Sequence, residues 1–161
     1  MATLQDTAPA FVDVAHRIVW ATVATVDRSN RPRSRILHPI WEWDGHTLSG
    51  WVATAPTPVK RAHLDHSPYV SVNYWDPHQD VATAECAASW HLDDATCERV
   101  WELFVTGPEP VGYDPSIVPA WTSPRADAFA VLRLEPWRLR VFPAAAGTGA
   151  AEVLVWGSGA A

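Results

Sequence analysis

The sequence predicts a mainly β protein, a small antiparallel β-barrel, closed or split, of roughly six strands with short helices. Three observations predict it. Runs rich in β-branched and aromatic residues are separated by turn clusters such as Asp27-Arg28-Ser29-Asn30 and Asp44-Gly45. The links between neighbouring runs are mostly short, which favours antiparallel pairing. Tryptophan occurs 10 times in 161 residues. So many large flat rings suit a sheet-rich core, a stacking pocket or a dimer interface.

The elements follow in order. Residues 9–19 form a short helix, because Ala10, Val14 and Ile18 recur at spacing four and Pro9 suits a first turn. Residues 20–26 are a strand of Val, Thr and Ala. Residues 33–43 are the next strand. Alternation puts Arg33, Arg35 and Leu37 on one face and Ser34, Ile36 and His38 on the other. Residues 47–54 return as a third strand. The period then switches to helical over residues 56–66, with Thr57 as N-cap, Pro58 at the first position and Ser67-Pro68 as the stop. Residues 69–75 and 81–90 are strands. Residues 93–104 form a helix with Asp93 or Asp94 as cap. Residues 107–124 are a proline-rich loop with a helical turn near 116–121. Residues 126–142 are a strand interrupted by Pro136. Residues 144–161 form an Ala/Gly-rich, loosely ordered tail, in which residues 152–156 are either an edge strand or unstructured.

The length and the lack of a linker or repeat point to one domain, 1–161. Hydrophobic residues make up 48% and charged residues 19%, as in ordinary globular chains. The net charge of −6 and the lack of a broad basic face argue against nucleic acid. No apolar run approaches the ~20 residues that a membrane helix needs. The first ten residues lack the pattern of a secretory signal. Cys86 and Cys97 form neither a CxxC pair nor a zinc spacing, which suggests a reducing, cytoplasmic setting and no metal site.

The chemistry concentrates between Thr54 and Arg61. The first N–H groups of a helix lack internal partners, and the helix dipole adds positive potential there. An anion such as phosphate is stabilised by both. Lys60 and Arg61 stand in this first turn, where their charge opposes the dipole, and an anion would relieve that conflict. Thr54 and Thr57 offer hydroxyls. Arg33 and Arg35 project from a nearby strand with planar forks suited to phosphate. The seven histidines lack matched carboxylate spacing and read as hydrogen-bonded or surface groups. Asp93, Asp94 and Glu98 read as helix-start carboxylates. No Ser/His/Asp nucleophile motif is present.

The chain resembles the pyridoxamine-phosphate-oxidase-like split β-barrels, a group of flavin and deazaflavin proteins that includes general stress proteins. The resemblance rests on Pro32-Arg33-Ser34-Arg35, Gly50-Trp51-Val52-Ala53-Thr54, Lys60-Arg61-Ala62-His63-Leu64 and Ser67-Pro68-Tyr69-Val70-Ser71-Val72, in that order. A weaker match continues through Gly112-Tyr113-Asp114-Pro115 and residues 129–142. The resemblance implies a six-stranded, FMN-binding split barrel. It implies a homodimer with cofactor at the subunit interface, bound by Arg33, Arg35, Ile36, Leu37, Val52, Ala53, Thr54, Lys60 and Arg61. It implies an oxidoreductase using FMN, or the deazaflavin coenzyme F420, for hydride transfer to or from a small molecule, with no catalytic side chain assigned. Some relatives of the fold bind haem, so a non-enzymatic flavin- or haem-binding stress protein is the alternative. The acidic tail of F420 would require further basic surface, for which Arg31 and Arg125 are the candidates. The C-terminal Gly-Ser-Gly-Ala-Ala departs from the basic and aromatic ending of the vitamin-processing oxidases, which argues against pyridoxal phosphate as substrate. The tryptophan-rich hairpin at 41–47 is expected to form either a wall over the ring system or a dimer contact.

Overall fold

A computed structural model describes residues 2–159. The chain runs α1 (Leu4–Ile18), β1 (Ala21–Val26), β2 (Pro32–Leu37), β3 (Pro39–Trp43), β4 (Leu48–Thr54), α2 (Pro58–His66) and β5 (Tyr69–Trp75). It continues through β6 (Val81–His91), α3 (Asp94–Val105), β7 (Ala130–Phe142) and β8 (Leu154–Gly157), with 3-10 turns at Pro115–Ile117 and Ala144–Thr148. The eight strands form one sheet in the order β2-β1-β5-β6-β7-β4-β3, with β8 paired to β7. Every pairing is antiparallel.

The two ends of that path are β2 and β3, which only His38 separates in the chain. The run 33–43 is therefore two strands rather than the single one expected. Pro39 lacks a donor, and His38 is restricted by the proline after it, so the ladder to β1 stops there. Beyond the break the chain pairs with β4 instead. This covalent corner joins the sheet's two ends without a ladder between them, which is the geometry of a split barrel. The split at His38 and the added β8 make eight strands out of the expected six.

Other boundaries moved for local reasons. The first helix begins at Leu4, five residues before the expected start, because Thr3 and Asp6 form a reciprocal capping box. Pro9 lies inside it. β7 starts at Ala130 and runs through Pro136, where the register with β6 shifts by one residue between Glu85 and Cys86. A bulge there accommodates the missing N–H. In the tail, the edge-strand alternative holds over Leu154–Gly157; Ala160 and Ala161 of the tail lie outside the described residues.

Two apolar clusters hold the molecule together. One fills the barrel and packs α1 across it through Ala8, Phe11 and Ala15, against Trp41, Val72, Tyr74 and Leu139. The other lies outside the barrel wall, where Val100 and Phe104 of α3 cover Trp51, Ala53 and Val131. The tryptophan-rich hairpin belongs to these clusters. Trp41 is buried, donates to the Tyr74 hydroxyl at 2.9 Å and meets Phe11 edge-on. Trp51 donates to Glu42 at 2.7 Å under the Arg99 guanidinium. Trp43 packs half-buried against the barrel core. Core packing thus accounts for Trp41 and Trp51, while Trp43 keeps part of its ring at the surface. No helix among the described residues is long and apolar enough to cross a membrane.

Candidate functional site

β2, β4 and the start of α2 meet at one mouth of the barrel. In the β1–β2 ladder Arg35 stands opposite Val23, and Leu37 opposite Ala21. Alternation then turns Arg35 and Leu37 into the barrel, beside Val23 and Thr25. Val52 of β4 and Lys60 of α2 complete the lining of a narrow cavity behind the mouth. Its free volume is about 10 Å³, room for about one water.

The polar groups at the mouth form a connected set. Arg35 Nη2 donates to Thr25 Oγ1 at 2.9 Å. Thr25 Oγ1 is also 2.9 Å from His63 Nδ1. Lys60 Nζ donates to Thr54 Oγ1 in a short hydrogen bond. Thr25, Thr54 and His63 are all buried.

The charge at the mouth is unbalanced. Arg17, Arg31, Arg99, Arg125, Arg133 and Arg138 each sit within ion-pair distance of a carboxylate. Among the described residues Arg28, Arg33, Arg35, Lys60, Arg61 and Arg140 have no such partner, and of these Arg35 and Lys60 alone are half-buried. Burial lowers the pKa of Lys60, and the neighbouring Arg35 charge lowers it further. Burial alone lowers that of Arg35. Two like charges, each half out of water and with no counterion, are a standing electrostatic cost.

The helix start is narrower as an anion site than its sequence suggests. Thr57 caps it and accepts from the Lys60 N–H at a long 3.5 Å. The Arg61 N–H donates to the Thr57 carbonyl at 3.0 Å, and Pro58 has no N–H. Of the N–H groups in this first turn, that of Val59 has no acceptor among the described residues. Side-chain cations therefore outweigh backbone amides in this site.

The nine residues anticipated for the cofactor do not all converge. Arg35, Leu37, Val52 and Lys60 line the cavity, and Thr54 joins them through Lys60. Arg33 is exposed near the rim, on the same strand face as Arg35. Ile36 points away on the outer face and is 59% exposed. Ala53 lies on the far face of β4, beneath α3. Arg61 lines a separate surface groove with Leu92, Asp94 and Arg125. Thr25 and His63 were not anticipated as site residues. Thr25 was legible only through the strand register that sets it beside Arg35, and His63 only through its place on the buried side of α2.

Comparisons with known proteins place this geometry in a fold. No family model and no curated protein matches the sequence. Solved structures match nearly the whole chain. A protein related to general stress protein 26, of the pyridoxine-phosphate oxidase family, from Clostridium acetobutylicum has a TM-score of 0.69 at 10% identity, over 96% of this chain and 94% of that one. A pyridoxamine 5'-phosphate oxidase-related, FMN-binding protein from Nostoc punctiforme has a TM-score of 0.66 at 14% identity, over 98% and 97%. A haem-binding protein from Mycobacterium smegmatis has a TM-score of 0.59 at 15% identity, over 93% of this chain and 57% of its own. The chain thus has the split-barrel fold of the pyridoxamine 5'-phosphate oxidase-like proteins. At these identities the likeness is one of fold.

Proposed function

We propose that this chain is an oxidoreductase that binds FMN, with the cofactor phosphate held between Arg35 and Lys60. The observation that carries the reading is the unpaired, half-buried cation pair at the barrel mouth. A phosphate there neutralises both charges at once. Arg35 keeps four of its five N–H donors after its bond to Thr25, enough to grip two phosphate oxygens. Lys60 adds a point charge steadied by Thr54. The Val59 N–H adds a backbone donor at the helix start. Leu37 and Val52 offer apolar surface leading away from the cations. Bound flavin supplies the hydride chemistry, and the protein supplies binding and orientation.

Two further features bear on the identity of the ligand. The cavity is far smaller than the few hundred Å³ that a ring-bearing ligand occupies. The ring system must therefore lie outside the mouth, where a second copy of the chain would supply the opposing wall. F420 adds an acidic tail. The two candidates for that tail already hold carboxylate partners at the surface, Arg31 with Asp27 and Arg125 with Asp94 and Glu98.

The test is direct. Purified chain is titrated with FMN, F420 and haem, with melting temperature and ligand absorbance recorded. FMN should raise the melting temperature and bind most tightly. A haem spectrum in place of a flavin spectrum would favour the haem-binding alternative, and no response to any of the three sinks the reading. Reduction and reoxidation of bound flavin, on mixing with reduced nicotinamide and an acceptor, separates an enzyme from a carrier without turnover.

A further inference from the structure

We propose that His63 is a positioning residue for the anion site, acting through Thr25 to fix the Arg35 guanidinium at the barrel mouth. The inference rests on the reading of Arg35 and Lys60 given above. Six polar or charged side chains are buried among the described residues: Thr7, Thr25, Asp27, Thr54, His63 and Asp76. Three of them, Thr25, Thr54 and His63, stand at this mouth. Such groups are costly to bury unless each is hydrogen-bonded.

The proton arrangement follows from the donors present. Arg35 Nη2 can only donate, so Thr25 Oγ1 accepts from it. The Thr25 hydroxyl then has one proton to place, and its other partner is His63 Nδ1. Of the two neutral tautomers, the one with its ring proton on Nε2 gives that buried hydroxyl proton an acceptor at Nδ1, and the relay uses this one. The relay runs from α2 through β1 to β2, three elements that only the folded barrel brings together. Its effect is to point Thr25's lone pairs at Arg35. Cutting it frees the hydroxyl to rotate and the guanidinium to swing toward water, away from the phosphate.

The test titrates full-length chain with FMN by quenching of flavin fluorescence, with inorganic phosphate as competitor. Arg35→Ala, Thr25→Val and His63→Leu are compared singly, and the last two also in the Arg35→Ala background. Thr25→Val and His63→Leu should each weaken FMN about tenfold, and should add nothing once Arg35 is gone. An unchanged affinity in both, or an equal loss in the Arg35→Ala background, overturns the relay. If Arg35→Ala itself leaves affinity unchanged, the anion-site reading has failed, independently of the relay. A second comparison holds if the apolar variants do not fold. Asn places its carbonyl oxygen near the Nδ1 position, whereas Gln reaches the Nε2 position. His63→Asn should bind FMN within about threefold of the parent, and His63→Gln as weakly as His63→Leu. Equal affinities for the Asn and Gln variants overturn the assignment.

Discussion

Lys60 shows how one side chain can oppose the apo fold and serve the ligand. It stands in the first turn of α2, against the dipole, and beside the like charge of Arg35. Lys60→Met keeps most of the apolar stem and removes the charge. Under the proposed function the variant should lose about 1.5–3 kcal/mol of FMN affinity, roughly 10- to 150-fold. Without ligand its melting temperature should be equal to or above that of the parent. Calorimetric titration and a thermal scan measure the two effects, and a loss of apo stability with unchanged affinity would assign Lys60 to the fold alone. Histidine gives a second prediction at this scale. His16 Nε2 accepts the Trp41 N–H at 3.0 Å, so the folded state needs it neutral, and burial lowers its pKa. Burial also lowers that of His38. The unfolded chain takes up these protons near pH 6.5 while the folded one resists, so stability is full above that pH and falls as pH drops below it. Asp27, held near pKa 2 chiefly by Arg31, adds its own loss only below about pH 4. Melting curves between pH 7.5 and 4.5 should show the first loss, and His16→Gln, which keeps an acceptor, should blunt it. At this scale the cations were legible because charge at a helix start is conspicuous. Thr25 was not, because its partner His63 is 38 residues away and only the register joins them.

The elements carry the site by being fixed at unusual places. β4 brings Val52 and Thr54 to the mouth, and its middle is pinned to the core at Gly50. A Cβ on Gly50 would lie 2.7 Å from the Trp41 ring, and Trp41 is itself locked by Phe11 and Tyr74. The ring has no room to yield, so β4 must shift. Gly50→Ala should therefore cost about 1–3 kcal/mol of stability. It should also weaken FMN binding, although residue 50 touches no part of the proposed site. Urea unfolding and an FMN titration check both, and a destabilised variant with parental affinity would show that β4 can move without carrying the site. The helix, strand and turn types were largely legible from period and caps. α2 was expected over 56–66 and spans Pro58–His66 with Thr57 as its cap. The break at His38 was harder to read, because it arises where two ladders compete for one extended run. Either ladder alone would have made residues 33–43 a single strand.

At the scale of the whole molecule, one sheet face has no covering among the described residues. The outer side of β2-β1-β5 exposes Trp20, Ile36, Tyr69 and Trp75, with Thr22, Ser34 and Ser71 among them. Both α1 and α3 pack elsewhere, against the two clusters already described. Trp20 follows a strained corner. Val19 has φ 71 and ψ −60, and the Trp20 N–H donates back to the Ile18 carbonyl at 2.8 Å. That is a γ-turn rarely adopted by a β-branched residue, and it sets Trp20 against His38 at 5.1 Å, with most of the indole in water. A stable interface needs about 800 Å² from each partner. That is near a tenth of the 8501 Å² surface, an area that four large side chains and the small residues among them can supply. Ile36 is next in sequence to Arg35 but on the opposite face. Because β2 is an end strand of the sheet path, a second copy seated on this face and reaching past that edge would lie beside the mouth and could wall in the ring system. On this argument Ile36→Glu, which sets a charge in the interface of each copy, should convert a dimer of 17.7 kDa chains into monomers. FMN affinity should fall in the same variant, although Arg35 and Lys60 are intact. Light scattering across a concentration series, paired with the FMN titration, decides it. A monomeric parent that binds FMN tightly would remove the second wall from the reading and leave the cation pair to hold the cofactor within one chain.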